Sequence, residues 1–145
     1  MEVVTGIREV MATLDKLPTA MQKKILRPGL RRGAKVIKQQ AEANIRSLVS
    51  EEATGFLASH LEIRTKKTRN RSEVGVKVQI EGKVLNPKNN QRAGLYGSVL
   101  EYGKEGQAPK PWLRPAQAAK AQEAIAALED YARQKLNDAV EDARR

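Results

Sequence analysis

The stretch Leu95–Ala116, LYGSVLEYGKEGQAPKPWLRPA, decides how the rest of the chain is read. It holds the only Trp (Trp112), two of the three Tyr (Tyr96 and Tyr102) and three of the six Pro (Pro109, Pro111 and Pro115). Such crowding marks a structured turn. Tyr96, Val99 and Leu100 recur at helical spacing, which predicts a short helical turn closed by Gly103 in a left-handed conformation. From Gly103 to Lys110 the composition predicts a mobile loop. In Ala108 to Ala116 each Pro biases its predecessor toward extended backbone and removes a donor, so the chain enters the next helix stiffly and from a fixed direction. Pro115 stands where a first helical turn tolerates it. Trp112 and Leu113 are expected to cap the core and to anchor the last helix against a sheet.

Working outward, Gln117 to Arg145 reads as a long helix with Ile125, Leu128, Ala132, Leu136, Ala139 and Ala143 along one face. On the other side, Gly82 to Gly94 reads as a long polar loop. Before it, Glu73-Val-Gly-Val-Lys-Val-Gln-Ile-Glu and Leu61-Glu-Ile-Arg-Thr-Lys-Lys-Thr alternate as half-buried strands do, with Asn70 in the turn between them. Met21 to Leu48 places Leu26, Leu30, Ala34, Ile37, Ala41, Ile45 and Leu48 on one helical stripe, with Thr19 as a cap and Pro28-Gly29 predicting a break or a new start. Val3 to Leu17 opens with a β-prone run and continues as a helix ended by Pro18. The expected fold is α+β: a small antiparallel sheet packed against two long helices, with long assembly loops. One domain covers 1–145, with helices over 1–49, a strand hairpin over 54–82, loops and the Pro-rich turn over 83–116, and the last helix over 117–145.

The chain has 145 residues, no Cys and one His, so disulfides, thiolate chemistry, a histidine-based triad and a multi-histidine metal site are excluded within one copy. His60 reads as a polar residue at a strand entry. Glu51 and Glu52 are sequence neighbours that do not face each other on a helix, and Glu101 lacks an acidic partner for general acid/base work. No phosphate-cradling or dinucleotide-binding glycine pattern is present. An enzyme is not expected, and no cofactor. No apolar run reaches bilayer-spanning length, so no membrane contact is expected.

Charge is the largest anomaly in the composition: the net value is +10. Arg27, Arg31, Arg32, Lys35 and Lys38 share a helix surface by spacing, and Lys66, Lys67 and Arg69 crowd a strand and turn. The last helix gathers the acids Glu123, Glu129, Asp130, Asp138, Glu141 and Asp142. A basic face suits phosphate or an acidic protein, or is simply solvated. A free nucleic-acid-binding protein is one reading, though neither a helix-turn-helix nor base-stacking aromatics support it.

The order Val99-Leu-Glu-Tyr-Gly, a polar loop, then Ala-Pro-Lys-Pro-Trp-Leu-Arg-Pro-Ala resembles the signature of the tail-completion proteins of long-tailed bacteriophages, the group sharing the fold of the minor tail protein Z of lambdoid phages. Thr54-Gly-Phe-Leu-Ala-Ser-His-Leu resembles that family's segment leading from the long helix to the first main strand, with His60 standing between Ser59 and Leu61. The resemblance implies a structural virion protein at the head-to-tail joint, assembled in the host cytoplasm. Its partners would be itself, as a ring of roughly six or alternatively twelve copies, other neck proteins, the tail tube protein and, non-specifically, packaged DNA. It marks Tyr102, Gly103, Pro109, Pro111, Trp112, Leu113, Arg114 and Pro115 as subunit-interface or docking candidates. The eight basic residues named above are its candidates for a DNA lumen or a lateral contact.

Overall fold

A computed structural model of the chain describes residues 7–48, 56–66, 75–81, 85 and 92–144. The β-prone run at Val3, the turn at Asn70, Lys67, Arg69 and most of the expected loop between Gly82 and Gly94 lie outside the described residues. Among the described residues the main elements run α1 (Ile7–Asp15), α2 (Thr19–Leu48), β1 (Leu61–Lys66), β2 (Gly75–Ile80), α3 (Ala93–Tyr102) and α4 (Leu113–Arg144). The fold is α+β, a two-stranded antiparallel sheet packed against two long helices. The strands pair from Leu61↔Ile80 to Lys66↔Gly75.

Helix α2 spans 30 residues, roughly 45 Å at 1.5 Å per residue. Pro28 lies inside it and does not break it. Pro removes one intrahelical hydrogen bond and costs about 3 kcal/mol in a free helix, but here the chain is clamped on both sides of it. Ile25 packs against α4 ahead of the proline, and Gly29, Gly33 and Ala34 are buried just after it. Burying one Ile side chain alone contributes about 1.5–3 kcal/mol, so tertiary packing overrides the local preference. Thr19 is helical itself; the carbonyl of Pro18 accepts from the N–H groups of Met21 and Gln22.

Helices α2 and α4 run antiparallel along a seam of small residues. A Cβ placed on Gly33 would meet the backbone oxygen of Ala124 at 2.7 Å, and one on Gly29 would meet Leu128 Cδ1 at 2.6 Å. This seam corrects the stripe read from the sequence of α4. The buried positions are Ala116, Ala124, Ala132 and Leu136, whereas Ile125 is half exposed and Ala139 is exposed. The backbone of Ala124 comes close against Gly33, and Ile125, one residue on, is left half exposed. Helix α4 also starts at Leu113, four residues before the expected Gln117.

Two apolar clusters sit at opposite ends of this helix pair. At one end Val10 and Leu14 of α1 pack on Ile25, Ala132 and Leu136. At the other, Ala41, Ile45, Leu57, Leu61, Ile80, Leu100, Trp112 and Ala116 form the main core under the sheet. Residues 56–59, read from the sequence as part of the strand hairpin, are instead a helical turn that delivers Leu57 and Ala58 to that core. Helix α3 lies close on the end of β2: a Cβ on Gly97 would collide with Ile80 Cδ1. Ala93 and Gly94 belong to α3, not to the loop before it.

Candidate functional site

Helix α4 begins with Leu-Arg-Pro-Ala and has no acidic residue in its first turn. Its free N–H groups need an acceptor. Glu101, on the last turn of α3, supplies it. One carboxylate oxygen accepts from the N–H of Trp112 at 2.7 Å and of Leu113 at 2.8 Å, and the other accepts from the N–H of Arg114 at 3.0 Å and from its guanidinium Nε at 2.9 Å. The residue is 2% exposed. Burial works to raise its pKa, but the N–H groups of Leu113, Arg114 and Trp112 and the Arg114 side chain outweigh that and hold the carboxyl below its ordinary value. Placed against the positive end of α4, the charge also complements the helix dipole.

The connecting turn is folded onto the same mount. Gly103 has φ 79° and ψ −179°, a region open to glycine but outside the left-handed helical cap that the sequence suggests. Its N–H donates to the carbonyl of Val99 at 2.8 Å, Lys104 and Gln107 exchange two backbone hydrogen bonds, and the N–H of Lys110 donates to Leu100 at 2.7 Å. The stretch expected to be a mobile loop is therefore a hydrogen-bonded tight turn. Trp112 is buried, with its Nε1 donating to the carbonyl of Gly97 at 2.9 Å, and its own carbonyl accepts from Asn44 of α2 at 3.0 Å. It thus ties α3, α2 and the start of α4 together, as an anchoring residue should. Leu113 and Pro111 are half-buried, while Tyr102, Pro109, Arg114 and Pro115 are exposed. The guanidinium of Arg114 lies 5.2 Å from the Tyr102 ring centre, over an outer surface that also presents Leu95 and a cleft of about 200 Å³ between Arg92, Tyr96 and Lys104.

The basic candidates separate into tied and untied groups. Arg31 donates to the carbonyl of Ile63 at 3.2 Å and to Thr65 Oγ1 at 2.8 Å, closing the outer edge of β1. Arg32 lies on the other rim of α2, its guanidinium 4.6 Å from the centre of the Tyr131 ring. Lys38 pairs with Glu42 at 3.8 Å. Arg27, Lys35 and, at the end of β1, Lys66 are exposed. On α4, Glu129 and Asp130 pair with Arg133, and Glu123 with Lys120, which leaves Asp138, Glu141 and Asp142 as the exposed acids toward the C-terminal end.

His60 lies 3.8 Å from Glu81, and its ring packs tilted against that of Phe56, centres 4.7 Å apart, at the entry to β1. No group of three or more His, Asp or Glu there could hold a metal ion, and no described helix is long and apolar enough to cross a membrane. The role of Glu101 escaped sequence reasoning, which weighed it as an acid or base. The signal was indirect: a long helix whose first turn carries no acid and whose preceding residues offer no Ser, Thr, Asp or Asn cap.

No curated protein and no solved structure matches the chain. A family model, that of the HK97-gp10-like bacteriophage tail components, matches residues 8–103, about two thirds of the length. The match takes in α1 through α3 and ends at Gly103, so the Trp-Leu-Arg-Pro-Ala run is attached to it physically, through Glu101, and not by the match itself. The match spans more than half of the chain, and with the α+β fold on the page the conclusion is that this chain belongs to the HK97-gp10-like family of phage tail components.

Proposed function

We propose that this tail component is a tail-completion subunit of the head-to-tail junction, forming a homo-oligomeric ring of roughly six or alternatively twelve copies that docks the tail tube to the filled head. The observation that carries the reading is the Glu101 clasp. The two short motifs that resemble the tail-completion signature, Val99 to Gly103 and Ala108 to Ala116, are one hydrogen-bonded unit. That unit holds Tyr102, Pro109, Arg114 and Pro115 outward on a fixed mount, a surface suited to a neighbouring subunit or neck protein. In the same reading, part of the basic back of α2 meets the exposed acids of the next subunit's α4. Arg27, Lys35 and Lys66 remain for phosphate in the lumen, where contacts are sequence-independent and weakened by salt.

Mass photometry and electron microscopy of the purified protein, with and without tail tubes, test the reading. A ring that forms, or that appears on the tube end, is expected; a monomer that never joins tubes overturns it. The rival, a free nucleic-acid binder, predicts a gel shift of short duplexes at micromolar protein near about 150 mM salt. The tail-completion reading predicts none.

A further inference from the structure

Tyr131 carries two cations drawn from two helices. A Cβ on Gly29 would stand 3.4 Å from Tyr131 Cδ1, so the bare backbone of α2 lets the half-buried ring lie against that helix. Arg32, a turn further along α2, puts its guanidinium 4.6 Å from the ring centre, and Lys135, a turn further along α4, puts its ammonium 5.7 Å from the same centre. Helical side chains lean toward the N-terminus of their own helix. Because α2 and α4 run antiparallel, these two lean toward each other and converge on the ring from opposite directions.

No acid answers them. Among the described residues neither cation has an ion pair or a hydrogen bond; Glu129 and Asp130 are taken by Arg133, and Asp138, a turn beyond Lys135, pairs with neither. The ring attracts each cation, but the cations repel each other, and five guanidinium and three ammonium N–H donors are left without an acceptor. An oxyanion supplies what is missing. Phosphate suits the place better than carboxylate, since its tetrahedral oxygens reach cations on two helices at once, whereas a planar carboxylate is filled by one guanidinium fork. The ring also fixes the guanidinium beforehand, so less freedom is lost on binding. A half-buried ring carrying two cations is a poor platform for a base, so the contact stops at the phosphate and carries no sequence information. Lys35, three residues from Arg32 and exposed, continues the positive surface.

We propose that Arg32, Lys135 and the Tyr131 ring form a seat for one phosphate group, filled in the assembled particle by the backbone of DNA. The seat adds α4 to the phosphate-facing surface of the lumen, and in that respect it rests on the ring reading above.

The side-chain Nε–H resonance of Arg32 and the ring protons of Tyr131 report on the seat. The full chain is titrated with a short DNA duplex, with inorganic phosphate and with acetate at matched ionic strength. Low salt is used, so that a contact too weak to shift a gel at higher salt is still filled. The duplex should move both signals at the lowest concentration, phosphate at a higher one and acetate least. Movement with inorganic phosphate alone would keep the seat and overturn DNA as its source. No movement with either, or acetate as effective as phosphate, overturns the seat, the second result pointing to a carboxylate of a protein partner. Lys135→Gln should weaken duplex binding about fivefold and reduce its salt slope by about one, with the melting temperature unchanged. Tyr131→Phe should bind as the native chain does and Tyr131→Leu about fivefold more weakly; equal affinity in all of these variants would refute the seat. Rings that form while Arg32 stays unmoved would refute the seat and leave the ring reading intact. A seat that fills in a chain that never forms rings would overturn the ring reading alone.

Discussion

Replacing Glu101 by Gln keeps shape and volume while removing the charge and, with it, half of the acceptor capacity. The native carboxylate takes four hydrogen bonds, three from the backbone N–H groups that open α4 and one from Arg114. An amide has one oxygen to offer and turns its NH2 toward two of those donors. Losing two charge-assisted bonds at about 1.5–3 kcal/mol each gives a cost of about 3–6 kcal/mol, with no discount for solvent because the side chain is 3% exposed. Arg114→Ala removes the partner whose side chain is 56% exposed, and an exposed ion pair is worth about 0–1 kcal/mol. Urea or thermal unfolding at neutral pH should therefore rank Glu101→Gln well above Arg114→Ala. The drop in melting temperature for the first should be on the order of 10 °C. Equal costs for the two, or a Glu101→Gln penalty under about 1 kcal/mol, would show that the ion pair and not helix capping holds the junction. The pH dependence gives a second check. A carboxyl with a lowered folded pKa stabilises fully above its unfolded value of about 4.3 and loses that contribution as pH falls through the folded value. The gap between wild type and Glu101→Gln should accordingly be widest near neutrality and shrink in acid.

Trp112→Ala should cost about 3–5 kcal/mol in chemical unfolding, because the ring is 4% exposed and its Nε1 holds the Gly97 carbonyl; an unchanged midpoint would deny it the anchoring role. Gly33→Ala should destabilise by about 1–3 kcal/mol and more than Gly29→Ala, since the obstacle is the fixed backbone oxygen of Ala124 at the first and a movable Leu128 methyl at the second. The reverse order would mean that the helix seam is looser than drawn. Reversing the charges of Arg31, Arg32 and Lys35 should abolish oligomers in a lateral role, with rescue by reversing Asp138, Glu141 and Asp142, the exposed acids toward the C-terminal end of α4. Normal rings that fail to retain or eject DNA would indicate the lumen role, and intact infectivity would rule out both.

The elements and their class were legible because periodicity reports burial directly. Val76, Val78 and Ile80 alternate, and Ala34, Ala41 and Ile45 recur at helical spacing, so sheet and long helix could be read from spacing alone. What escaped is set by residues far apart in sequence. The face of α4 was misjudged at Ile125 because glycines on another helix, Gly29 and Gly33, choose which residues of α4 are buried. The break at Pro28 was predicted from a local penalty that packing at Ile25 and Gly29 overrides. Glu101 serves a helix start eleven residues away, a distance at which no capping pattern in the sequence operates.

The clasp also separates the turn's contents from the helix it feeds. The two ends of the turn are fastened by Lys110 to Leu100 and by Trp112, Leu113 and Arg114 to Glu101, so α4 takes its direction from α3 whatever lies between. Gly106, with nothing within 4 Å of where its Cβ would be, sits at the free tip. Lengthening the tip there costs only closure entropy, about 0.6 kcal/mol for each doubling of its length. Chains built this way can exchange or extend the tip to suit a new neighbour while the long helices stay in register.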